Sequence, residues 1–330
     1  MIKKLLLIFL LTYPQFSYSN VEVDFNIWLN KFKIRALKKG ISEETINNSF
    51  KNAKYLKQVI KYDRYQPEFF EDTKTYLNKR ATPSRMFKAK ALLIKNQKLF
   101  DEVEKKFNVE KELLLALWGI ETNFGKHVGK MDIISSLATL SFDKRRSEFF
   151  SKELITLLKL IDQKLVDVDT LYGSWAGAFG NFQFMPSAIE NYAIDYDKNG
   201  KIELKKSLHD AVASAANYIN KIGWKYKSSC FHKVELTKPI PEKYINLSAK
   251  KIKNYQTIKS WKKKGIVDIE QLSNKNKAAL VIPDLAVAEG KENSPAFLVF
   301  ENYEKILKWN RSLRFGVTVC TLANMIKNEI

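Results

Sequence analysis

The residue best placed to do chemistry is Glu121, which closes the apolar run of residues 112–125, ELLLALWGIETNFG. On a helical period Leu114, Leu117, Trp118 and Glu121 share one face, because residues three and four apart are neighbours, and Gly125 offers a helix stop. Burying a lone carboxylate in its charged form is costly. The usual outcome is a raised pKa and an acid that still donates a proton near neutrality. The other reading makes Glu121 the first solvated residue where the helix emerges, and this window does not separate the two.

A second constellation lies in residues 195–210, DYDKNGKIELKKSLHD. Asp195, Asp197, Asn199 and the turn glycine Gly200 begin it like a calcium loop. Lys206 stands where the twelfth-position Glu is expected, so a standard EF-hand is not indicated, and Asp210 is left to close the site from the following helix. Ser207-x-x-Asp210 also fits a capping box for a helix over 208–222. Zinc chemistry has little support, since His127, His209 and His232 show no H-E-x-x-H or comparable spacing. Residues 171–186, LYGSWAGAFGNFQFMP, mix glycines, small residues and aromatics without helical or strand period. That is the composition of a loop whose backbone approaches a ligand or another segment closely. It lacks the strand–glycine–helix context of a nucleotide site.

Several elements must hold these residues. Residues 21–108 read as helices: Phe25, Trp28 and Phe32 form a stripe that Gly40 ends, and Ser42 before Glu43 and Glu44 starts the next helix. Thr82-Pro83 opens another, with residues 99–107 as its continuation. Residues 133–140 and 149–160 are further helices, and Asp143-Lys144-Arg145-Arg146 between them is a surface turn or an internally paired cluster. Residues 278–282 and 296–300 read as short strands in a small β-containing insertion. The chain then returns to helix, with Trp309, Asn310, Arg311 and Ser312 at the start of the last one. The expected division is a signal peptide over 1–19, a helical domain over 20–108 and a core over 109–228. A β-containing domain over 229–300 and a C-terminal helix over 301–330 that completes the core follow.

The 330 residues, 45% of them hydrophobic, suffice for a sizeable core. Lys3 and Lys4, the apolar run of residues 5–11 and Ser17-Tyr18-Ser19 read as a cleaved secretory leader, too short to span a bilayer. No cysteine follows it to accept a lipid, so the expected location is the periplasm, free of a lipid anchor. A formal net charge of +20 permits an anionic partner, although lysines spread this widely are also simply a solvated surface. Cys230 and Cys320 are the two cysteines; export allows them to pair, and we expect free, buried thiols.

Several stretches in this order resemble the membrane-bound lytic murein transglycosylase B family, glycoside hydrolase family 103. They are residues 118–125 (WGIETNFG), 137–140 (LATL), Arg145-Arg146, 173–178 (GSWAGA) and 183–187 (QFMPS), with 195–200, Asp210-Ala211 and 216–218 (ANY) completing the set. The resemblance implies a mainly α, α+β fold: a lysozyme-like catalytic core with an N-terminal helical domain and a small β-containing insertion. It implies cleavage of the MurNAc–GlcNAc β-1,4 bond of peptidoglycan with a 1,6-anhydro-muramyl end. It places the catalytic acid on Glu121 and substrate contacts on Ser174, Gln183, Tyr218, Trp309 and Asn310. Trp309 replaces the family's usual Tyr. A cation, calcium or another, would be held by Asp195, Asp197, Asn199, the Lys201 carbonyl and Asp210, with none required for the chemistry. The implied partners are glycan strands and complexes with other cell-wall enzymes, not nucleic acid, around a monomeric protein.

The chemistry is consistent with the residues themselves. Glycosidases ordinarily use two carboxylates, yet Asp132 and Asp143, the acids that follow Glu121 in the chain, lack the context of a second catalytic group. One acid suffices if the substrate brings its own nucleophiles. Neutral Glu121 would protonate the leaving oxygen with help from the MurNAc acetamido group, and then accept the C6 hydroxyl proton. Aromatic faces for sugars are expected from Tyr172, Trp175, Tyr218 and Trp309. Rival readings are a muramidase-type hydrolase, a non-catalytic peptidoglycan-binding protein, and a nucleic-acid binder resting on the lysine- and aromatic-rich residues 249–264.

Overall fold

In the computed structural model, residues 21–66, 70–286 and 294–329 are described, so the expected leader lies outside them. Local chemistry sets most of the helix limits. Helix α1 (Val21–Lys38) buries Phe25, Leu29, Phe32 and Ala36 and stops before Gly40, whose φ of 83° favours glycine. In α2 (Glu43–Phe50) the Thr45 N–H donates to the Ser42 hydroxyl, and α3 (Lys57–Arg64) and α4 (Thr73–Arg80) follow. Helix α5 (Pro83–Lys95) opens with Thr82 as its cap and Pro83 in its first turn, as expected. The anticipated continuation instead breaks at Asn96, and α6 (Gln97–Phe107) is a separate helix. The Asn96 side chain donates to the Leu92 carbonyl over 2.8 Å, a local bond that competes with the helical ladder.

Helix α7 (Lys111–Thr122) carries Glu121. The short strand β1 (Met131–Asp132) leads into α8 (Ile133–Phe142) and α9 (Ser147–Asp162). Strand β2 (Tyr172–Gly173) pairs antiparallel with β1, setting Met131 opposite Gly173 and Asp132 opposite Tyr172. Next come α10 (Pro186–Tyr192) and α11 (Leu208–Lys221), the latter capped by Ser207 accepting from the Asp210 N–H.

The β-containing part is larger than its two legible strands. It comprises β3 (Phe231–Leu236), β4 (Ile245–Asn246), β5 (Gln256–Thr257), the helix α12 (Ile258–Lys263), β6 (Ile266–Val267), β7 (Lys277–Val281) and β8 (Ala296–Val299). The sheet order is β4-β7-β8-β3-β6, with β5 also on β7. Residues 278–281 of β7 and all of β8 are apolar because both faces of the sheet are covered there. Ala279, Val281, Phe297 and Val299 face the main core, and Ala278, Leu280, Ala296 and Leu298 face a second core around Trp261. The aromatics of residues 249–264 are accounted for by this packing. Trp261 is fully buried and donates to the Ala278 carbonyl, while the Tyr255 hydroxyl donates to Glu304. They form no stacking platform for bases.

The C-terminal part holds two helices, not one: α13 (Glu301–Trp309) and α14 (Leu313–Glu329). Trp309 therefore ends a helix; Asn310 is extended (φ −139°, ψ 122°), and the Ser312 hydroxyl accepts from the Phe315 N–H at the next start. Helix α14 packs along α7, closing one contiguous core that runs from Phe25 to Ile326. Cys230 and Cys320 are bonded, with Cα atoms 6.1 Å apart. This overturns the expectation of free thiols: β3 pairs with β8, whose end leads into α13, and that path brings residue 230 back beside α14.

Candidate active site

Glu121 sits half-buried in the last turn of a helix otherwise enclosed on all sides from Leu113 to Gly119. The helix stops one residue after Thr122, at Asn123, earlier than the Gly125 expected. Asn123, Phe124 and Gly125 all adopt left-handed backbone (φ 51°, 60° and 78°), and the Asn123 N–H returns to the Gly119 carbonyl. Asparagine tolerates this conformation better than most side chains. The Glu121 carboxylate is neither solvated freely nor enclosed by hydrocarbon: the Trp309 indole Nε1 donates to its Oε1 over 2.9 Å.

Residues 173–186 form the loop that its composition suggested, and it is clamped to α7. The Thr122 hydroxyl donates to the Asn181 carbonyl at 2.8 Å, and the Trp118 Nε1 donates to Asn181 Oδ1 at 3.0 Å. Gly129 has φ 87°, and a Cβ there would lie 2.0 Å from the Gly173 carbonyl oxygen. The two backbones approach closely only because no side chain intervenes. Gln183 spans the same crossing, its Nε2 donating to the Val128 and Gly180 carbonyls. The Ser174 hydroxyl accepts from the Ala178 N–H. Both expected substrate contacts thus hold loop backbone next to the Glu121 helix.

The aromatic residues stack on one another. Tyr192 lies parallel to Tyr218 (4.3 Å, 6°), and Tyr218 lies on Trp309 (4.9 Å, 23°). Phe184 and Phe182 flank Trp309 at 5.4 and 6.4 Å. The Tyr218 ring is stacked by tyrosine and by tryptophan, so its faces serve the column and are not a sugar platform. Its hydroxyl donates to the Lys308 carbonyl; burial, reinforced by Tyr192 and opposed by Arg311, pushes its pKa up to about 12. Tyr172, by contrast, is exposed at the end of β2.

Residues 143–146 lie in a turn with Lys144 and Arg145 exposed, and their ion pairs run to α3. Asp63, 2% exposed, accepts from Arg145 Nε at 2.8 Å, from Arg146 and from Arg64, and Arg64 also reaches Asp143 at 2.8 Å. Burial pushes the Asp63 carboxyl up, but the Arg145 and Arg146 guanidiniums outweigh it and hold it below the usual range. The other nearby acid, Asp132, is engaged too, its Oδ1 accepting from the Ser135 N–H at 2.6 Å.

In the aspartate loop the carboxylate oxygens of Asp195, Asp197 and Asp210 converge within 4.8 Å of one another. Among the described residues this is the one such cluster, and all its donors are carboxylates. Asp210 is fully buried. Its oxygens accept from the Tyr196 N–H at 2.8 Å and the Glu203 N–H at 2.9 Å, while Ser207 caps the helix beneath. Of the capping box only the Ser207 half forms: the Ser207 N–H goes to the Glu203 carbonyl, and the Asp210 carboxylate serves the loop instead. An all-oxygen donor set of this charge suits a hard divalent cation.

The family description "Transglycosylase SLT domain" matches residues 24–324. The chain belongs to this transglycosylase family. It is 43% identical over 119 residues to the membrane-bound lytic murein transglycosylase B of Escherichia coli (strain K12), an alignment covering 36% of this chain and 33% of that protein. The chain thus spans about a third of the length of that curated relative. Among solved structures, SltB3 from Pseudomonas aeruginosa in complex with NAG-NAM-pentapeptide is 31% identical with a TM-score of 0.81, covering 92% of this chain and 79% of that one. The Escherichia coli lytic transglycosylase Slt35 in complex with calcium is 25% identical with a TM-score of 0.76, covering 95% of each chain. The transglycosylase fold here is accordingly lysozyme-like and mainly helical with a small mixed sheet.

Within this transglycosylase domain, sequence reasoning missed Asn181, Asp63 and the contact of Trp309 with Glu121. Asn181 sits inside the glycine-rich loop already singled out, where an amide between Gly180 and Phe182 was the available signal. Asp63 lies in an ordinary polar helix and carried none.

Proposed function

We propose that the protein is a lytic murein transglycosylase that cleaves the MurNAc–GlcNAc β-1,4 bond and leaves 1,6-anhydro-MurNAc ends. The observation that carries this is Glu121 held at Oε1 by Trp309 while the neighbouring acids are committed elsewhere, Asp132 to the start of α8 and Asp143 to Arg64. One carboxyl must then serve twice. SltB3, at 31% identity, has been solved with NAG-NAM-pentapeptide and with NAG-anhNAM-pentapeptide, which supports a peptidoglycan strand as substrate and an anhydro sugar as product.

In the proposed reaction neutral Glu121 donates its proton to the glycosidic oxygen as the bond to the MurNAc anomeric carbon breaks. The acetamido oxygen of the same sugar bonds to that carbon as the GlcNAc hydroxyl departs. Glu121, now a carboxylate, takes the C6 hydroxyl proton while that oxygen attacks the anomeric carbon and displaces the acetamido group. The acid is restored and no water is consumed. Ser174, Gln183 and Asn310 are proposed to contact the sugars, with Tyr218 and Trp309 acting from behind. Asp195, Asp197, Asn199, the Lys201 carbonyl and Asp210 would hold a calcium-class cation. That ion would supply charge neutralisation and loop rigidity, not a reacting group. Its support is the convergent carboxylates and the calcium complex of Slt35.

We further propose export to the periplasm through the 1–19 leader and action there as a monomer. No helix among the described residues is long and apolar enough to cross a membrane.

The test is mass spectrometry of purified sacculi digested by the mature protein beside Glu121→Gln. Anhydro-muramyl products from the wild type alone are expected. Reducing-end products would replace the proposal with a muramidase-type hydrolase, and binding to sacculi without any product would replace it with a non-catalytic binding protein.

A further inference from the structure

The strand pair β1–β2 leads from the end of the Glu121 helix to a groove that the reaction described above leaves unused. Gln183 donates to the Val128 carbonyl, the backbones of Gly129 and Gly173 lie in contact, and Asp132 stands opposite Tyr172. Beyond this crossing, between the end of α2 and the start of α8, lies a groove of about 460 Å³. Ser49, Asn52, Lys54, Lys130, Asp132 and Tyr172 contribute to its lining. Its wall is fixed. The Lys54 backbone N–H donates to the Ser135 hydroxyl over 3.1 Å and the Leu56 N–H to the Thr139 hydroxyl over 3.0 Å, which clamps the α2–α3 connection onto α8.

The side chains of this groove suit an anion. Lys54 and Lys130 are both exposed, and the Tyr172 side chain beside them is 49% exposed. Asp132 is the one acid in the lining, and its Oδ1 is taken by the Ser135 N–H. Ser49 is an independent observation. It is 6% exposed in the last turn of α2, and its hydroxyl has no hydrogen-bond partner. A helical serine ordinarily returns its hydroxyl to a carbonyl three or four residues back. A buried hydroxyl left unbonded costs stability and is rare in folded proteins, so it calls for a partner from outside.

We propose that this groove binds the peptide stem of the peptidoglycan strand, with a stem carboxylate held by Lys54 and Lys130 and Ser49 as a further donor. The inference rests on the reading of peptidoglycan as the substrate. In such a strand the sugars are uncharged once the muramyl carboxyl is joined to its peptide. The carboxylates lie in the stem, so a cationic groove selects the stem and not the glycan. The placement agrees. Ser174, proposed above to contact the sugars, follows Tyr172 by two residues, about 7 Å along an extended strand. A stem of a few residues covers that distance from a sugar seated at Ser174.

The experiment uses the mature protein and two substrates, glycan strands that carry stems and the same strands freed of them by an amidase. Wild type is expected to favour the stem-bearing strands in kcat/KM. Lys54→Ala/Lys130→Ala should cut that preference about tenfold, through KM with kcat held within about twofold. Lys54→Arg/Lys130→Arg, which keeps both charges, should restore most of it. Lys31→Ala/Lys38→Ala removes two exposed charges from α1 and should leave the preference in place. An unchanged preference in Lys54→Ala/Lys130→Ala, or a loss matched by the α1 pair, would overturn the proposal and leave only diffuse attraction. A second measurement is independent of catalysis: binding of fluorescently labelled strands of both kinds to Glu121→Gln, with and without Lys54→Ala/Lys130→Ala. Tighter binding of stem-bearing strands that the lysine changes abolish supports the groove even if the wild type releases reducing sugars or no product at all. Equal binding of the two kinds of strand by Glu121→Gln means that the groove takes no stem, whatever the reaction proves to be.

Discussion

Trp118 Nε1 donates to Asn181 Oδ1 across 3.0 Å, and with this bond the Glu121 helix is joined to the aspartate loop. The Asn181 amide donates onward to the carbonyls of Leu204 and Lys205, each at 3.1 Å, and its backbone N–H reaches Leu204 at 2.9 Å. Glu203, the preceding residue, donates to Asp210. A contiguous run of hydrogen bonds thus leads from the aspartate cluster to the turn before Glu121.

Replacing Asn181 by leucine keeps the volume and removes every side-chain bond. The buried Trp118 N–H then loses its acceptor, at about 1–3 kcal/mol before relaxation, while the Leu204 carbonyl keeps the backbone N–H of residue 181 and the Lys205 carbonyl is only part-buried. We expect a net loss of about 2–3 kcal/mol in urea unfolding. A loss under about 1 kcal/mol would show that water or neighbours take over these bonds.

Asp63 makes a pH-dependent contribution. Its folded-state pKa lies below the ordinary value of 3.8, burial being outweighed by Arg145 and Arg146. A depressed carboxyl stabilises the fold above its unfolded pKa and loses that effect as pH falls through the folded one. Wild type should therefore exceed Asp63→Asn in stability at pH 7 by about 2–3 kcal/mol, a figure kept modest because the three arginines are partly exposed. The gap should narrow only below about pH 4. Unfolding midpoints of both proteins between pH 7 and pH 2 check this, and a gap that is constant with pH would exclude the carboxylate as its origin.

Removing the cation or its buried ligand should act on stability. Asp210 is fully buried and closes the loop through the Tyr196 and Glu203 N–H groups. Millimolar calcium is expected to raise the wild-type Tm, since a ligand that binds the folded state alone stabilises it by mass action, and a chelator to reverse the rise. In Asp210→Asn the shift should vanish, because the converging charge is reduced by one. An undiminished calcium shift in the variant would place the ion elsewhere.

What could be read without the structure was what is local. The caps at Ser42, Thr82 and Ser207 are bonds between residues three apart, and the all-apolar stretches that became β7 and β8 announce double-sided burial. The break at Trp309-Asn310 has no glycine or proline to mark it. Strand β3 carries Lys233 and Glu235 and is defined by β8 and β6, which lie far along the chain. Of the site, Glu121 was legible from its helix, and the aspartates from their spacing. Its supports were not, because Asp63 with Arg145, Asn181 with Leu204 and Glu121 with Trp309 meet only after folding.

The bond between Cys230 and Cys320 shares that origin and is the simplest to test. It ties the start of β3 to the α14 helix that packs on α7. The closed loop spans a sequence separation of 90 residues, for which the chain-entropy account gives a stabilisation of about 4–5 kcal/mol. The Cys230→Ser/Cys320→Ser pair should therefore unfold at clearly lower urea than the oxidised wild type, and reductant should bring the wild type down to the variant's midpoint. The loss should fall on stability, with transglycosylation at low temperature retained, since neither sulfur belongs to the Glu121 contacts. Equal midpoints for oxidised and reduced wild type would mean that the packing of α14 on α7 already holds the two segments together without the covalent link.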